Sequence, residues 1–462
     1  MNRNIKKAGG FFLACAIMCV MLSGCGGSSA GDGGTKISVS NWPTSNDKVN
    51  LELYEGYLAQ MNEKYPDIKV VPDTWQYDVN SFLPKAASGQ LPTVFQTYFT
   101  ESKKIIGAGY ARDITDELKE AGYETLYNDV YMDLLRKDGR SYGIVKNGYV
   151  MGLLCNVKLF EEAGLVDVDG VPIFPKTFDE LRATAKTIKE KTGKTGFYMP
   201  TINNQGGWIF CNIAWGFGAE FEKQENGKWV AAFDSDECYE ALKYIRDMKW
   251  EDNSLQDDIL GDASNNFIRM YASDQAAMGI QAPSTINSAI KQYGMDKDNA
   301  AVARIPEGPA MRAALLGGGV YMFSAKATSE EVKAAFKWLE ITGAIPTKSE
   351  ETTSAWADAA KKAAEEGRIV GYGMINVFSD EELTKAKEEA ERPYVTVDPK
   401  KFMDYQGLED VTVRPEPEVN AQELYSVFDR ILQQILTDEN ADIKTILSKE
   451  AVDFQTKYMD NQ

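Results

Sequence analysis

Short runs of β-favouring residues recur along the chain, each followed by an amphipathic helix, and this alternation limits the possible folds more than any single residue does. A strand that feeds a helix and then a neighbouring strand builds mainly parallel sheet with helices on its faces, an α/β class. Lys36-Ile37-Ser38-Val39-Ser40 reads as a first strand. A helix predicted from about Asp47 to Lys64 puts Leu53, Tyr54, Tyr57, Leu58 and Met61 on one face, and Pro66 closes it. Ile68-Lys69-Val70-Val71 is then a second strand, and a helix ending at Gly89 leads to the apolar run around Val94 and Phe95. A further crossover passes through Ile114 to Leu118. Thr177-Phe178-Asp179-Glu180 has the spacing of a capping box opening a helix that runs to about Thr192. Later strands are predicted at Ala277 to Gln281, Ala300 to Arg304 and Gly319 to Phe323, with helices from Ser329 to Ile341 and from Ala421 to Leu436. The acidic, lysine-rich stretch from Ser349 to Glu391 reads as solvated helices.

The chain starts with Arg3, Lys6 and Lys7 ahead of an apolar stretch, Phe11 to Leu22, that is too short to span a bilayer. This is the pattern of an export signal, here residues 1–24. It ends in Leu22-Ser23-Gly24-Cys25, which resembles the lipobox of bacterial lipoproteins and implies acylation of Cys25 and anchoring to the cell membrane. Residues 25–35, rich in glycine and serine, read as a flexible tether.

Residues 1–24 carry three positive and no negative charges, so their removal takes the net charge from −19 to −22. So acidic a surface repels phosphate backbones, and nucleic acid is set aside as a partner. Histidine is absent from the chain, which removes Ser-His-Asp and Cys-His catalysis together with the commonest metal ligand. Beyond the anchor, Cys155, Cys211 and Cys238 form no C-x-x-C pair and read as buried apolar residues. Asp167-Val168-Asp169-Gly170 lacks a full loop of cation ligands and reads as a plain turn. No metal and no cofactor is expected.

Several segments taken in order carry a resemblance. Met61-Asn62-Glu63-Lys64-Tyr65-Pro66-Asp67-Ile68-Lys69-Val70 and Ala87-Ser88-Gly89-Gln90-Leu91-Pro92 come first. Tyr142-Gly143-Ile144, Asn156, Leu159-Phe160-Glu161-Glu162-Ala163-Gly164-Leu165 and Pro175-Lys176-Thr177-Phe178-Asp179-Glu180-Leu181 follow. Ala276-Ala277-Met278 and Gly317-Gly318-Gly319-Val320-Tyr321 complete the series. Their order is similar to that in the extracellular solute-binding proteins of carbohydrate importers, the group that includes the maltose-binding protein. The chain departs from that pattern at Thr93, where the group has aspartate, at Cys155, where it has tyrosine, and at Ser284, where it often has an aromatic.

The resemblance implies a two-lobed, periplasmic-binding-protein-like α/β fold with a hinge between the lobes. Residues 36–146 with part of 306–380 would form one lobe, and residues 147–305 with part of 381–462 the other. The first crossing is expected near Tyr142 to Tyr149 and the return near Ile305 to Gly317.

Ligands of open α/β sheets sit beyond the carboxyl ends of the strands. That rule selects Asn41 and Trp42 after the first strand, Trp75 and Tyr77 after the second, and Thr97, Tyr98 and Glu101 after the third. A sugar presents a C–H face and a hydroxyl edge, so its site needs flat aromatic platforms bordered by polar side chains. Asn41-Trp42 fits best, while the resemblance adds Trp208, with Trp215 left to the core. Asn147, Tyr149, Gln281, Ser284, Gly318, Tyr321 and Tyr425 are further candidates.

The expectation is a monomeric, non-enzymatic binder that captures a sugar, an oligosaccharide, and hands it to the permease of an ABC importer. A secreted glycosidase or lyase, which needs two carboxylates facing each other across the bond, stays open as an alternative. So does a binder of a peptide or other non-sugar solute on the same fold.

Overall fold

The computed structural model describes residues 34–261, 264–371, 376–406 and 408–460. The predicted export signal, Cys25 and all but the end of the tether lie outside them. Thr35, at that end, already sits in a strand opposite Ile68.

Two sheets organise the described residues. Their strands are β1 (Thr35–Val39), β2 (Ile68–Pro72), β3 (Val94–Tyr98), β4 (Gly143–Val150), β5 (Gly152–Asn156), β6 (Thr195–Phe197), β7 (Ala276–Gln281), β8 (Ala300–Ala303), β9 (Ala313–Phe323) and β10 (Thr412–Pro415). The first sheet runs β10-β9-β3-β1-β2, with β4 also paired to β9, and the second runs β8-β5-β7-β6. Helices cover the sheets, giving a two-lobed α/β molecule. Among the described residues no helix is long and apolar enough to cross a membrane.

Local chemistry sets the helix ends. Asp47 caps the helix Lys48–Lys64 by accepting the Asn50 N–H, and Gly164, Gly193 and Gly294 end their helices in the left-handed region that glycine enters without strain. The expected capping box differs by one residue: Thr177 accepts the Glu180 N–H, but Glu180 reaches back to the amide of Lys176. A full capping box forms instead at Thr328 and Glu331.

The prediction of mainly parallel sheets is corrected in the second lobe. β5 is antiparallel to both β7 and β8, because it enters this sheet directly from the other lobe and not through a helical crossover. β1 is parallel to β2 and β3 as expected.

β4 and β9 carry the chain between the lobes. They pair antiparallel from Gly143 opposite Met322 to Val150 opposite Leu316, with one irregularity at Gly319/Val320. β9 is longer than the predicted Gly319 to Phe323, and its first half, Ala313–Leu316, pairs parallel with β10 on a third passage of the chain. Tyr405 clamps this region: it is fully buried, its hydroxyl donates to the Val150 carbonyl at 2.5 Å, and its ring fills the space that a Cβ on Gly152 would need.

Candidate functional site

Between the lobes, the carboxyl ends of β1 and β3 and the glycine-rich middle of β9 open onto two adjoining cavities of about 270 and 390 Å³. Tyr98, Tyr149 and Gly318 line both, so the two form one cleft.

Gly318 lets β9 lie against β4. Its φ is 147°, and a Cβ there would sit 2.2 Å from the Asn147 carbonyl oxygen. The Asn147 side chain accepts the Gly319 N–H at 2.7 Å, and Lys146 Nζ donates to Gln96 Oε1 at 2.6 Å. At the end of β1, Asn41 takes a positive φ of 58° and its N–H bonds the Trp75 carbonyl at 2.9 Å. Tyr77 donates its hydroxyl to Glu101 Oε2 at 2.6 Å, and burial, reinforced by that carboxylate, pushes the phenol well above its usual range. Tyr98 stands 59% exposed at the junction of the cavities, backed edge-on by Tyr77 at 6.1 Å.

The other lobe supplies two helices, Gln205–Gly216 and Ala421–Thr437, that touch so closely that a Cβ on Gly207 would lie 2.4 Å from the Tyr425 Cα. Asp429 fixes their register by accepting the N–H groups of Asn204 at 2.6 Å and Gly207 at 3.0 Å. This contact aims Trp208 and Tyr425 at the cleft. Trp208 meets Tyr149 edge-on at 6.4 Å, and Tyr425 donates its hydroxyl to Glu416 Oε1 at 3.0 Å. Burial pushes the Glu416 carboxyl up to about 8; the nearby Glu101 charge adds to the shift, while the Tyr425 and Trp208 donors oppose it.

Of the residues read from the sequence, Asn41, Tyr77, Thr97, Tyr98, Asn147, Tyr149 and Gly318 line the first cavity. Tyr98, Glu101, Tyr149, Trp208, Gly318 and Tyr425 line the second. Five do not line either. Trp42, expected as the best platform, is 5% exposed and packs in the core, stacked on Trp338 at 5.5 Å with Tyr54 edge-on at 5.2 Å. Asn41, the residue before it, takes a positive φ and lines the cleft, while Trp42 is buried. Trp75 lies against Phe82 and Phe95, with the Lys85 ammonium 5.2 Å from its ring. Tyr321 is buried on β9 opposite Gln96 and Ile144. Gln281 is buried at the end of β7 opposite Gly152, and Ser284 is exposed ahead of the helix Thr285–Tyr293.

Residues not anticipated complete the lining: Gln76, Gln96, Lys146 and Gly319 in the first cavity, and Thr100, Asn203, Asn204, Gln205, Glu416 and Gln422 in the second. Gln96 was readable, since it lies two residues before Tyr98 and so on the same face of β3. Pro415-Glu416-Pro417 gave a weaker signal, an acid held in extended chain by prolines on both sides. At Asp167 the structure has a turn: its carboxylate accepts the Asp169 and Val171 N–H groups, both at 2.9 Å.

The arrangement of aromatic faces, amides and carboxylates suits a polar ligand with an apolar face. The chain is 26% identical over 233 residues to the diacetylchitobiose binding protein DasA of Streptomyces coelicolor, an alignment covering 46% of this chain and about half (49%) of that relative. In fold it is similar to an ABC transporter solute-binding protein of Thermotoga lettingae bound with α-D-tagatose, with TM-score 0.65, 17% identity, and coverage of 91% of this chain and 99% of the other. It is similar also to UgpB of Mycobacterium tuberculosis in complex with glycerophosphocholine, with TM-score 0.66, 15% identity, and coverage of 92% and 98%. Residues 48–341, well over half of the sequence, match one family throughout, and the chain belongs to the bacterial extracellular solute-binding proteins.

Proposed function

We propose that the cleft captures a sugar, an oligosaccharide, and that closure of the lobes presents it to the permease of an ABC importer, with Cys25 holding the protein at the cell membrane through lipid. One observation carries the reading: Tyr98, a large aromatic 59% exposed, stands at the centre of a cleft whose other walls are Tyr149, Trp208 and hydrogen-bonding amides and carboxylates. A flat ring that water reaches on one side is a platform for the C–H face of a pyranose. Asn41, Tyr77, Glu101, Asn147 and Tyr425 then border the hydroxyl edge, with the backbone of Gly318 between them. Two of the three relatives support the same class, one named for binding diacetylchitobiose and one bound with tagatose, while the third holds glycerophosphocholine. Closure is favoured only by contacts a ligand gains in the closed state, which the two lobes provide here from separate elements.

Isothermal titration with a panel of neutral oligosaccharides tests this. Covering roughly 60 Å² of ring at about 25 cal/mol/Å² gives about 1.5 kcal/mol, so Tyr98→Ala and Trp208→Ala should each weaken binding by about tenfold. Absence of heat with every saccharide, with the protein folded, rejects the reading. Release of reducing ends from any of them would make the protein a hydrolase, with Glu101 and Glu416 as its acids.

A further inference from the structure

The second cavity holds two carboxylates on separate elements, Glu101 on the helix Phe99–Gly107 and Glu416 just after β10. Glu101 is 7% exposed. Their partners among the described residues are neutral donors: Tyr77 on Glu101, and Tyr425 and Trp208 on Glu416. The cations two residues away in sequence are paired with other acids, Lys103 with Glu418 and Arg414 with Glu220 at 2.7 Å. A carboxylate has about four acceptor positions, so both acids keep capacity for a donor from the cleft.

The walls between them are aromatic. Tyr98, Tyr149 and Trp208 line the same cavity, and ring faces attract cations as well as C–H groups. The adjoining cavity has the opposite character: Lys146 donates to Gln96 there, and the Thr97 hydroxyl, buried at 4% exposure, has no hydrogen-bond partner among the described residues. The cleft is therefore polarised along its length, acids at one end and an ammonium with an unsatisfied hydroxyl at the other.

We infer that the end bounded by Glu101 and Glu416 takes the ammonium group of an amino sugar, so that the preferred saccharide carries a free amine where a neutral sugar has a hydroxyl. This deepens the saccharide reading above and rests on it. Two desolvated acids that face one cavity repel each other, and a ligand cation between them removes that repulsion where a hydroxyl only hydrogen-bonds. Without ligand, a proton does the same service: burial and the Glu101 charge push Glu416 up to about 8. The other titratable groups beside Glu416 include Tyr149 from β4, Cys211 from the helix Gln205–Gly216 and Tyr425 from the helix Ala421–Thr437, all held neutral by burial, and the paired Lys103 and Glu418, which line a small cavity with it. A bound ammonium then displaces the Glu416 proton.

The test uses the full chain and two probes of one skeleton, the β-1,4-linked glucosamine dimer and cellobiose, titrated at pH 6.5 in two buffers of different ionisation enthalpy. The amine dimer should bind at least tenfold tighter and release close to one proton, while cellobiose releases none. Glu416→Gln should erase both the preference and the proton release; Glu101→Gln should weaken the preference. Binding of the amine dimer no tighter than cellobiose, tighter binding of the N-acetylated dimer, or no proton release overturns the inference and leaves the saccharide reading standing. Failure of every saccharide to bind the folded wild type overturns both.

Discussion

Replacing Trp42 with alanine separates a core role from a ligand role more sharply than any change in the cleft. The indole is 5% exposed and lies between Trp338, stacked at 5.5 Å with 24° between planes, and Tyr54, edge-on at 5.2 Å. Trp338 is itself 2% exposed, so it cannot swing into the vacated space without leaving its own packing. Large-to-small changes of this kind cost about 3–5 kcal/mol, and a site that cannot collapse falls at the upper end. Urea unfolding followed by tryptophan fluorescence should show a midpoint well below that of the wild type with an unchanged slope. Saccharide affinity of the folded fraction should stay within about twofold, because the side chain does not reach the cleft. An unchanged midpoint together with lost binding would refute the core assignment and return Trp42 to the ligand.

Two further outcomes follow from the crossing strands and the buried acids. Gly318→Ala combines a backbone conformation that costs about 1–3 kcal/mol for a residue with a side chain with a collision against the Asn147 carbonyl, and it should lower the unfolding midpoint clearly more than Gly109→Ala, where φ is also positive but the space is open. Glu222 and Glu416 have folded-state values raised to about 7 and about 8 by burial, against 4.5 for the free side chain, so the folded protein holds more protons across that window. Stability should therefore be greatest near pH 5 and fall as the pH rises towards 8, and Glu222→Gln with Glu416→Gln should flatten the slope of the urea midpoint against pH. Asp404 has the opposite sign: burial opposes ionisation, but Lys176 at 2.7 Å and the Arg304 N–H at 3.0 Å hold its carboxyl below 3.8. Its contribution is present above that value and lost on further acidification, so Asp404→Asn should soften the acid limb of the same curve.

Periodicity located the elements well where a single local rule governed them. The helix Ser329–Ile341 agrees with the sequence reading at both ends, and Ala421–Thr437 extends one residue beyond it. The strand-end rule selected Asn41, Tyr77 and Tyr98, which lie at or beyond the carboxyl ends of β1, β2 and β3 and line the first cavity. Trp42 went the other way: it follows Asn41, which lines the cleft, and it is buried against Trp338 and Tyr54. Glu416, Gln422 and Asn203 reach the cleft from the third passage and from a helix start in the second lobe. Their places depend on how distant segments return, which local spacing does not encode. β5 illustrates the same limit at the level of the sheet, since strand direction there is decided by a chain crossing and not by a helix.

The continuous ladder between β4 and β9 has a mechanical consequence. At Gly317 and Gly318, between the stretch of β9 paired with β10 and the stretch paired with β3, β4 is the one strand beside β9 among the described residues, so rotation of one lobe against the other can be absorbed there as torsion. The three consecutive glycines at 317–319 fall midway along that ladder, where side chains would resist the twist, and they make it act as a torsion spring with a soft centre.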